Sequence, residues 1–214
     1  IVLLENVKGL LSHEKGRTFS IILQTLDELG YEIQWMVLNS KFFGVPQNRE
    51  RIFIVGSLRG KRRPEVLPFK RTVGENSGKQ LSRQKTSEYI KRSKYLENRR
   101  RCSDDKNKIQ AVAIPNRSTK TQNGRRMKEL EEPSFTVTTQ DIHAISDGLK
   151  IRRLTPMECE RLQGFPNDWT KNGIDNKGHV VKLSETQRYK QMGNAVTVDV
   201  IEAIGTELLS SCAK

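Results

Sequence analysis

The first 57 residues predict an α/β fold, because strand-like and helix-like periodicities alternate along them. The chain opens with an unbroken apolar run at residues 1–4, which is typical of a strand covered on both faces. A stripe of apolar residues with helical spacing follows at residues 18–29, and Gly30 marks its end. Alternating apolar side chains at residues 31–39 then predict a second strand.

A third strand is predicted at residues 51–57, and a polar stretch leads into it. Side chains alternate along an extended chain, so Gln47, Arg49 and Arg51 are expected to share one face. Two guanidiniums on one face favour a ligand-sized binding site. The alternative is a solvated, charged edge of an ordinary strand, and these residues by themselves leave both interpretations open.

The remainder of the chain is less regular. After residue 58 the sequence is polar and basic, with a predicted basic helix at 86–101 and short strands at 111–114 and 135–139. Thr155, Pro156 and Glu158 have the spacing of a capping box that starts a helix, which ends at residues 164–166. A last helix is predicted beyond Asn194, because apolar residues recur there at helical spacing.

The positive charge is concentrated in one segment. The chain of 214 residues has a net charge of +13, and residues 59–128 hold 22 Lys and Arg against 6 Asp and Glu, a net of +16. The other residues hold 16 basic and 19 acidic side chains, a net of −3. Such a segment is either a solvated face or the binding surface for a polyanion, and nucleic acid is the commonest polyanion. We therefore favour a DNA- or RNA-binding protein.

Composition also excludes several classes of protein. No run approaches the roughly 18 apolar residues of a membrane span, and the N-terminus does not resemble a signal peptide. Cys102, Cys159 and Cys212 lie far apart, so neither a disulfide framework nor a metal site is predicted. We expect a cytoplasmic protein. Because an apolar strand at a free N-terminus is unfavourable, we also expect a longer chain or a partner chain that covers it.

Four segments carry a resemblance to a known family. They are ENV at residues 5–7, QNRERIFIVG at 47–56, RRLTPMECERLQGFP at 152–166 and YKQMGNAV at 189–196. In order and wording they resemble the later motifs of the DNA cytosine-5 methyltransferases of bacterial restriction-modification systems. The resemblance implies an α/β fold: the C-terminal half of a Rossmann-like S-adenosylmethionine-dependent methyltransferase domain, joined to a smaller, irregular, strand-containing target-recognition domain.

The resemblance also implies a division of the chain. Residues 1–57 are expected to belong to the catalytic domain, and residues 58–150 to form the basic target-recognition domain. Residues 151–185 are expected to be a hinge that supports the recognition domain. Residues 186–214 are expected to form a C-terminal helix that returns to the catalytic domain.

The implied activity is transfer of a methyl group from S-adenosylmethionine (SAM) to carbon 5 of a cytosine flipped out of a specific DNA duplex. By the same resemblance, Glu5 bonds ring nitrogen N3 and the exocyclic amine, and Arg51 holds the O2 oxygen of the base. Arg49 is expected to orient the nucleophile or the glutamate. Gln47 and Asn6 are expected to support these residues.

Two further groups of residues are expected to bind the cofactor and the DNA. Asn194, at an expected helix N-terminus, and Ala195, through its backbone, match the family's SAM-site positions near the C-terminus. No metal is expected. Polar side chains of the basic segment, and a threonine that resembles one in the family's recognition domains, are candidates for contact with double-stranded DNA; they are Arg117, Gln122, Asn123, Arg125, Arg126 and Thr136.

The family's nucleophile is a cysteine in a Pro-Cys motif, and that dipeptide does not occur in this chain. The three cysteines present lack the motif, so we expect the chain alone to be inactive and to need an N-terminal catalytic half, in the same polypeptide or as a separate subunit. A cognate restriction endonuclease and association with the nucleoid are further expectations. The alternatives are a DNA-recognition subunit of a split methyltransferase and a non-catalytic DNA-binding protein.

Overall fold

The computed structural model describes residues 1–60, 66–67, 109–114 and 125–212. The described residues fall into two compact units. Unit one contains those within Ile1–Asn39, Glu50–Arg83 and Val200–Lys214, and unit two contains those within Ser40–Arg49 and Gln84–Asp199. None of the helices in the described part of the chain is long and apolar enough to cross a membrane. The basic helix predicted at 86–101 lies outside the described residues.

Unit one is built on a three-stranded sheet. Its strands are β1 (Val2–Val7), β2 (Tyr31–Asn39) and β3 (Glu50–Leu58), in the order β1-β3-β2. The strand β3 runs antiparallel to both neighbours. The strand predicted from the apolar run at residues 1–4 extends further than that run, because ENV lies within β1 and pairs with β3. Only residues 40–49 join β2 to β3, which is too short a connection for a parallel crossover.

One face of this sheet packs against the helix α1 (Arg17–Glu28), which confirms the predicted apolar stripe. Phe19 of α1 packs with Ile52 and Ile54 of β3, and all three side chains are buried. Burying side chains of this size stabilises a fold by about 1.5–3 kcal/mol each. The helix thereby fixes the strand that follows the QNRER segment.

The apolar residues at the start of β1 are exposed in this chain. Ile1 is 63% exposed, Leu3 37% and Leu4 40%, whereas the sequence predicted a strand covered on both faces. The physical reason is the strand order, because β1 is an edge strand of the described sheet and pairs only with β3.

Unit two contains two small antiparallel sheets. The first consists of β4 (Gln110–Ile114), β5 (Ile142–Ser146) and β6 (Ile151–Arg153), which confirms the strand predicted at 111–114. The second is the hairpin of β7 (Asn172–Ile174) and β8 (Val180–Lys182). The strand predicted at 135–139 was wrong. That segment is held by side chains of other segments instead of a strand ladder.

Three helices follow. The helix α2 (Pro156–Leu162) begins at the predicted capping box, in which Thr155 and Glu158 exchange hydrogen bonds. The sequence predicted one terminal helix, but the structure has two, α3 (Glu185–Asn194) and α4 (Val198–Cys212). Ser184 and Gln187 form a second capping box that starts α3 early. Ala195 has extended φ and ψ angles, which interrupt the helical path before α4.

Candidate active site

Glu5 and Arg51 form an ion pair in unit one. Glu5 lies near the end of β1 and Arg51 near the start of β3, and the antiparallel register places Glu5 opposite Phe53 and Val7 opposite Arg51. Glu5 and Arg51 are therefore diagonal neighbours on one face of the sheet. The Arg51 Nε atom lies 3.1 Å from the Glu5 Oε1 atom, and their side chains are 16% and 26% exposed. The sheet thus presents a carboxylate and a guanidinium side by side.

The pair is only partly buried, so both side chains remain accessible. Burial lowers the pKa of the Arg51 guanidinium, and the charge of Glu5 and its hydrogen bond partly offset that effect. An arginine stays protonated at neutral pH even with such a shift. Next to the pair, the Asn6 side-chain oxygen accepts a hydrogen bond from the Val7 amide at 2.8 Å. Asn6 therefore fixes the local backbone of β1.

Gln47 is fully buried in unit two, and its side chain forms hydrogen bonds to two other segments. Its Nε2 atom donates to the Leu162 carbonyl at 2.7 Å, and its Oε1 atom accepts from the Val137 amide at 2.8 Å. Beside it, Thr136 donates through Oγ1 to the Asn48 carbonyl at 2.6 Å. The QNR segment therefore holds the 136–137 segment in place.

Arg49 is 3% exposed, and its guanidinium binds backbone carbonyls of unit two. Nη1 donates to the Val137 oxygen at 2.9 Å. Nη2 donates to the Ala195 oxygen at 2.7 Å and to the Gly193 oxygen at 3.3 Å. Arg49 and Arg51 therefore have different partners, although the sequence predicted that their side chains share one face of the strand. The ladder of β3 begins only at Glu50, so the alternation of a strand does not extend back to Arg49.

Asn194 and Ala195 lie where α3 ends. The expected helix N-terminus at Asn194 was wrong, because Asn194 is the last residue of α3 and α4 begins only at Val198. A helix C-terminus carries a partial negative charge, so α3 offers no free backbone amides to an anionic ligand at Asn194. The Asn194 side chain is nevertheless exposed. It remains suited to a polar ligand because its amide both donates and accepts.

The structure describes three of the six candidate DNA-contacting residues. Arg117, Gln122 and Asn123 lie outside the described residues. Arg125 is exposed and forms ion pairs with Glu129 and Glu132, and the Glu132 hydrogen bond raises the pKa of Arg125. Arg126 is exposed, and Thr136 is half-buried against Asn48.

The cysteine within the described core is not a nucleophile. Cys159 is 1% exposed, and burial raises the pKa of its thiol to about 12. A thiol with this pKa carries almost no thiolate at neutral pH. Within the described residues, no group of His, Cys, Asp and Glu side chains has the arrangement of a metal site.

Sequence reasoning missed a buried ionic network in unit two. Glu160 is fully buried, and its Oε1 atom accepts from the Thr170 amide at 2.9 Å and from Arg188 Nη2 at 2.9 Å. The Thr170 hydroxyl donates to the same oxygen, and Asp168 accepts from Arg188 at 3.3 Å. The signal in the sequence was weak, because a glutamate is seldom fully buried, although Glu160 lies at helical spacing from the buried Pro156 and next to the buried Cys159. The network joins α2 to α3 through the segment between them.

A second missed feature is His143, which is 8% exposed on β5. Its Nε2 atom accepts a hydrogen bond from the Thr138 amide at 3.0 Å, so Nε2 is unprotonated in this arrangement. Burial lowers the pKa of His143 from its usual 6.5, and nearby Asp141 partly offsets the effect while Arg153 adds to it. The neutral imidazole therefore helps to hold the 136–139 segment.

This geometry predicts a loss of stability in acid. The unfolded chain protonates His143 near pH 6.5 and the folded chain only at lower pH, so between these values the unfolded state binds more protons. The free energy of unfolding should fall as pH drops below about 6.5. Urea unfolding of the wild type and His143→Gln between pH 8 and 5 measures this, because glutamine keeps an acceptor that does not titrate. His179→Gln, at an exposed histidine, is the control. Equal pH slopes for wild type and His143→Gln would contradict the assignment.

The fold is similar to that of solved methyltransferases. The S. pombe Dnmt2 methyltransferase superposes with a TM-score of 0.55 at 18% identity, covering 99% of this chain and 65% of that one. A DNA modification methyltransferase encoded within an E. coli prophage gives a TM-score of 0.53 at 17% identity, covering 99% of this chain and 69% of that one. These likenesses define the chain as having a methyltransferase fold.

The family follows from the sequence comparison. The family model described as C-5 cytosine-specific DNA methylase matches residues 1–210, and the chain belongs to that family. Type II methyltransferase M.SsoII of Shigella sonnei is 36% identical over 216 residues, covering 98% of this chain and 52% of the relative. Orphan methyltransferase M.SPBetaI of Bacillus phage SPbeta is 30% identical over 295 residues, covering 97% and 65%. The chain thus spans between half and two thirds of these relatives.

Proposed function

We propose that this chain forms the C-terminal part of an enzyme that transfers a methyl group from SAM to carbon 5 of a cytosine flipped out of a specific duplex DNA sequence. The observation that carries the proposal is the ion pair of Glu5 and Arg51, at 3.1 Å on one face of the sheet. Membership of the cytosine-specific family supplies the substrate class. The two residues offer a proton donor or acceptor and a fixed positive charge within reach of one planar ring.

The chemistry requires both groups. Carbon 5 of cytosine is a poor nucleophile until a thiolate adds to carbon 6 and pushes electrons toward ring nitrogen N3. After methyl transfer, loss of the carbon 5 proton to a base expels the thiolate from carbon 6 and restores the ring. In its protonated form, the Glu5 carboxyl donates to N3, while Arg51 stabilises negative charge that develops at the O2 oxygen. The base must leave the duplex to reach these groups, because neither carbon 6 nor N3 is accessible within the stack.

SAM supplies the electrophilic methyl group when bound. The residues that would hold it include Asn194, whose exposed amide can bond its charged amino-acid part, and the backbone of Ala195. Asn194 is exposed and α3 ends there, so the turn at Asn194 and Ala195 is accessible to a polar ligand. Most of the cofactor's contacts are proposed to come from the complementary part of the enzyme.

The nucleophile is proposed to lie outside this chain. The chain has no Pro-Cys dipeptide, and Cys159 is buried with a pKa of about 12. The exposed apolar residues of β1 are a suitable surface for a complementary catalytic half. In this proposal the chain alone binds DNA but does not methylate it.

Co-expression tests the complete proposal. Cells that express this chain together with a complementary N-terminal half should acquire 5-methylcytosine at one DNA sequence, mapped by bisulfite sequencing. Cells that express the chain alone should not. Methylation by the chain alone would contradict the placement of the nucleophile, and DNA binding without methylation in both cases would favour the non-catalytic alternative. A cognate endonuclease and a location at the nucleoid remain part of the same proposal.

The role of Glu5 has a direct test. Glu5→Gln removes the carboxyl but keeps the shape, so kcat of the assembled enzyme should fall by about 10²–10⁴-fold, the usual contribution of a general acid. The dissociation constant for DNA should change by only a few-fold. The matched control is Glu50→Gln, because Glu50 is an exposed carboxylate that pairs with Lys8, the residue after β1, at 3.0 Å. Equal kcat for the two variants would refute the role of Glu5.

DNA binding by the basic segment predicts a steep dependence on salt. Residues 59–128 carry a net charge of +16, and each phosphate contact releases condensed counterions. The logarithm of the association constant should fall linearly with the logarithm of salt concentration, with a slope of about −0.9 per phosphate contacted. Titration of labelled duplex between low and physiological salt measures the slope. An association constant that does not change with salt concentration would show that the segment, including Arg125 and Arg126, does not contact DNA phosphates.

We also propose that the chain is divided into a target-recognition domain and parts of a catalytic domain. Residues 58–150 act as the target-recognition domain, residues 151–185 support it, and the flanking residues 1–57 and 186–214 belong to the catalytic domain. Exchange of residues 58–150 for the corresponding segment of a relative should change the DNA sequence that is methylated. Unchanged sequence specificity would refute these boundaries.

A further inference from the structure

Arg49 binds the two carbonyls that flank Asn194. Its Nη2 atom donates to the Ala195 oxygen at 2.7 Å and to the Gly193 oxygen at 3.3 Å. These carbonyls lie at the end of α3, where the last carbonyls of a helix have no partner within the helix. A cation at this position also interacts favourably with the helix dipole. The guanidinium therefore fixes the backbone immediately before and after Asn194.

The same guanidinium reaches the 136–139 segment. Nη1 donates to the Val137 oxygen at 2.9 Å, and the Val137 amide donates to Gln47 at 2.8 Å. Gly193 allows the end of α3 to approach this segment closely, because a Cβ atom at that position would lie 2.5 Å from the Thr139 amide nitrogen. One buried side chain thus joins the end of α3 to a segment that carries the candidate DNA contact Thr136.

We propose that Arg49 is a positioning residue that sets the orientation of Asn194 toward SAM, and that it does not act on the cytosine. This inference rests on the proposed function. It assigns the two arginines of the QNRER segment to separate tasks, with Arg51 paired to Glu5 and Arg49 holding the cofactor turn. Arginine suits the task because its planar fork binds several carbonyls at once, whereas lysine offers one point charge.

The test uses Arg49→Lys in the enzyme assembled with its complementary part. Lysine keeps the charge but cannot reach all three carbonyls. Loss of bonds to a charged donor should raise KM and Kd for SAM by about tenfold or more. At saturating SAM, kcat should fall less than threefold. A purely structural residue would not produce this separation between KM and kcat.

Asn194→Ala completes a double-mutant cycle. If Arg49 acts through Asn194, the effects of Arg49→Lys and Asn194→Ala on Kd for SAM are strongly non-additive, and the double variant resembles Asn194→Ala alone. The matched control is Arg188→Lys, an arginine of α3 that bonds the side chains of Glu160 and Asp168. It should lower the melting temperature and leave KM for SAM within twofold.

Several results would overturn the inference. Additive effects in the cycle would show that Arg49 does not act through Asn194. A fall in kcat with unchanged KM for SAM would place Arg49 at the reacting base. Equal effects of Arg49→Lys and Arg188→Lys would reduce it to a stabilising residue. Failure of the unsubstituted assembled enzyme to bind SAM would overturn the inference and the proposed function together. If the unsubstituted enzyme binds SAM and the Arg49→Lys variant binds it with the same Kd, the inference alone is overturned.

Discussion

Gly193→Ala should destabilise unit two by about 3 kcal/mol or prevent it from folding. A Cβ atom at this position would lie 2.5 Å from the Thr139 amide nitrogen and 2.6 Å from the Thr138 carbonyl carbon. Both are backbone atoms, so no rotation of a side chain relieves the overlap. Because Arg49 binds the Gly193 carbonyl, a displaced α3 also loses part of that hydrogen-bonding arrangement. Urea unfolding followed by far-ultraviolet circular dichroism measures the loss.

Gly205 provides the matched control. It lies within α4, and no atom lies within 4 Å of the position of its Cβ. Alanine there should stabilise the helix by up to about 1 kcal/mol, because it has the higher helix propensity. The two glycine-to-alanine changes are therefore expected to have opposite signs. If Gly193→Ala is tolerated as well as Gly205→Ala, the close approach of α3 to the 138–139 backbone is refuted.

The second large effect is expected for Arg188→Ala. Removal of Arg188 leaves the fully buried Glu160 carboxylate without its cation, and breaking one side of a buried pair costs about 3–5 kcal/mol. Burial raises the pKa of Glu160, but the hydrogen bonds from Thr170 and Arg188 outweigh it and lower the pKa overall. Chemical denaturation of wild type and variant at pH 7 measures the difference.

The pH dependence of Arg188→Ala gives an independent check. In the wild type the lowered pKa stabilises the fold above about pH 4.5, and this contribution is lost as pH falls through the folded-state value. Without Arg188, Glu160 protonates more readily, so the deficit relative to wild type should shrink in acid. A double variant with Glu160→Gln and Arg188→Met should recover much of the stability, because it buries no charge and keeps an acceptor for Thr170. No recovery would argue against an uncompensated charge as the cause.

Local elements were predictable because neighbouring residues specify them. The stripe of α1 and the stop at Gly30 fixed that helix to within a residue or two. The capping box of Thr155 and Glu158 appears in the structure as predicted. Each of these features depends on atoms only a few residues apart, so spacing in the sequence carries the information.

Pairing between distant segments was not predictable in the same way. No pattern in the sequence indicates that β3 lies between β1 and β2, because strand order depends on contacts between segments far apart in the chain. The helix α3 was missed, and the last helix was predicted to start at Asn194 and not at Val198, because apolar residues from Val196 onward recur at helical spacing. The extended angles of Ala195 place the backbone where Arg49 binds it.

Motifs and periodicities are local properties of the chain, so they were sufficient to identify the family, the residue types of the candidate site and the local α/β elements. How those residue types are used depends on the folded arrangement of distant segments. Glu5 and Arg51 meet across two antiparallel strands, whereas Arg49, two positions away from Arg51, is buried against the carbonyls of Val137, Gly193 and Ala195. The physical reason is that an arginine binds whichever acceptors the fold brings to it, and these acceptors lie 88 to 146 residues further along the chain.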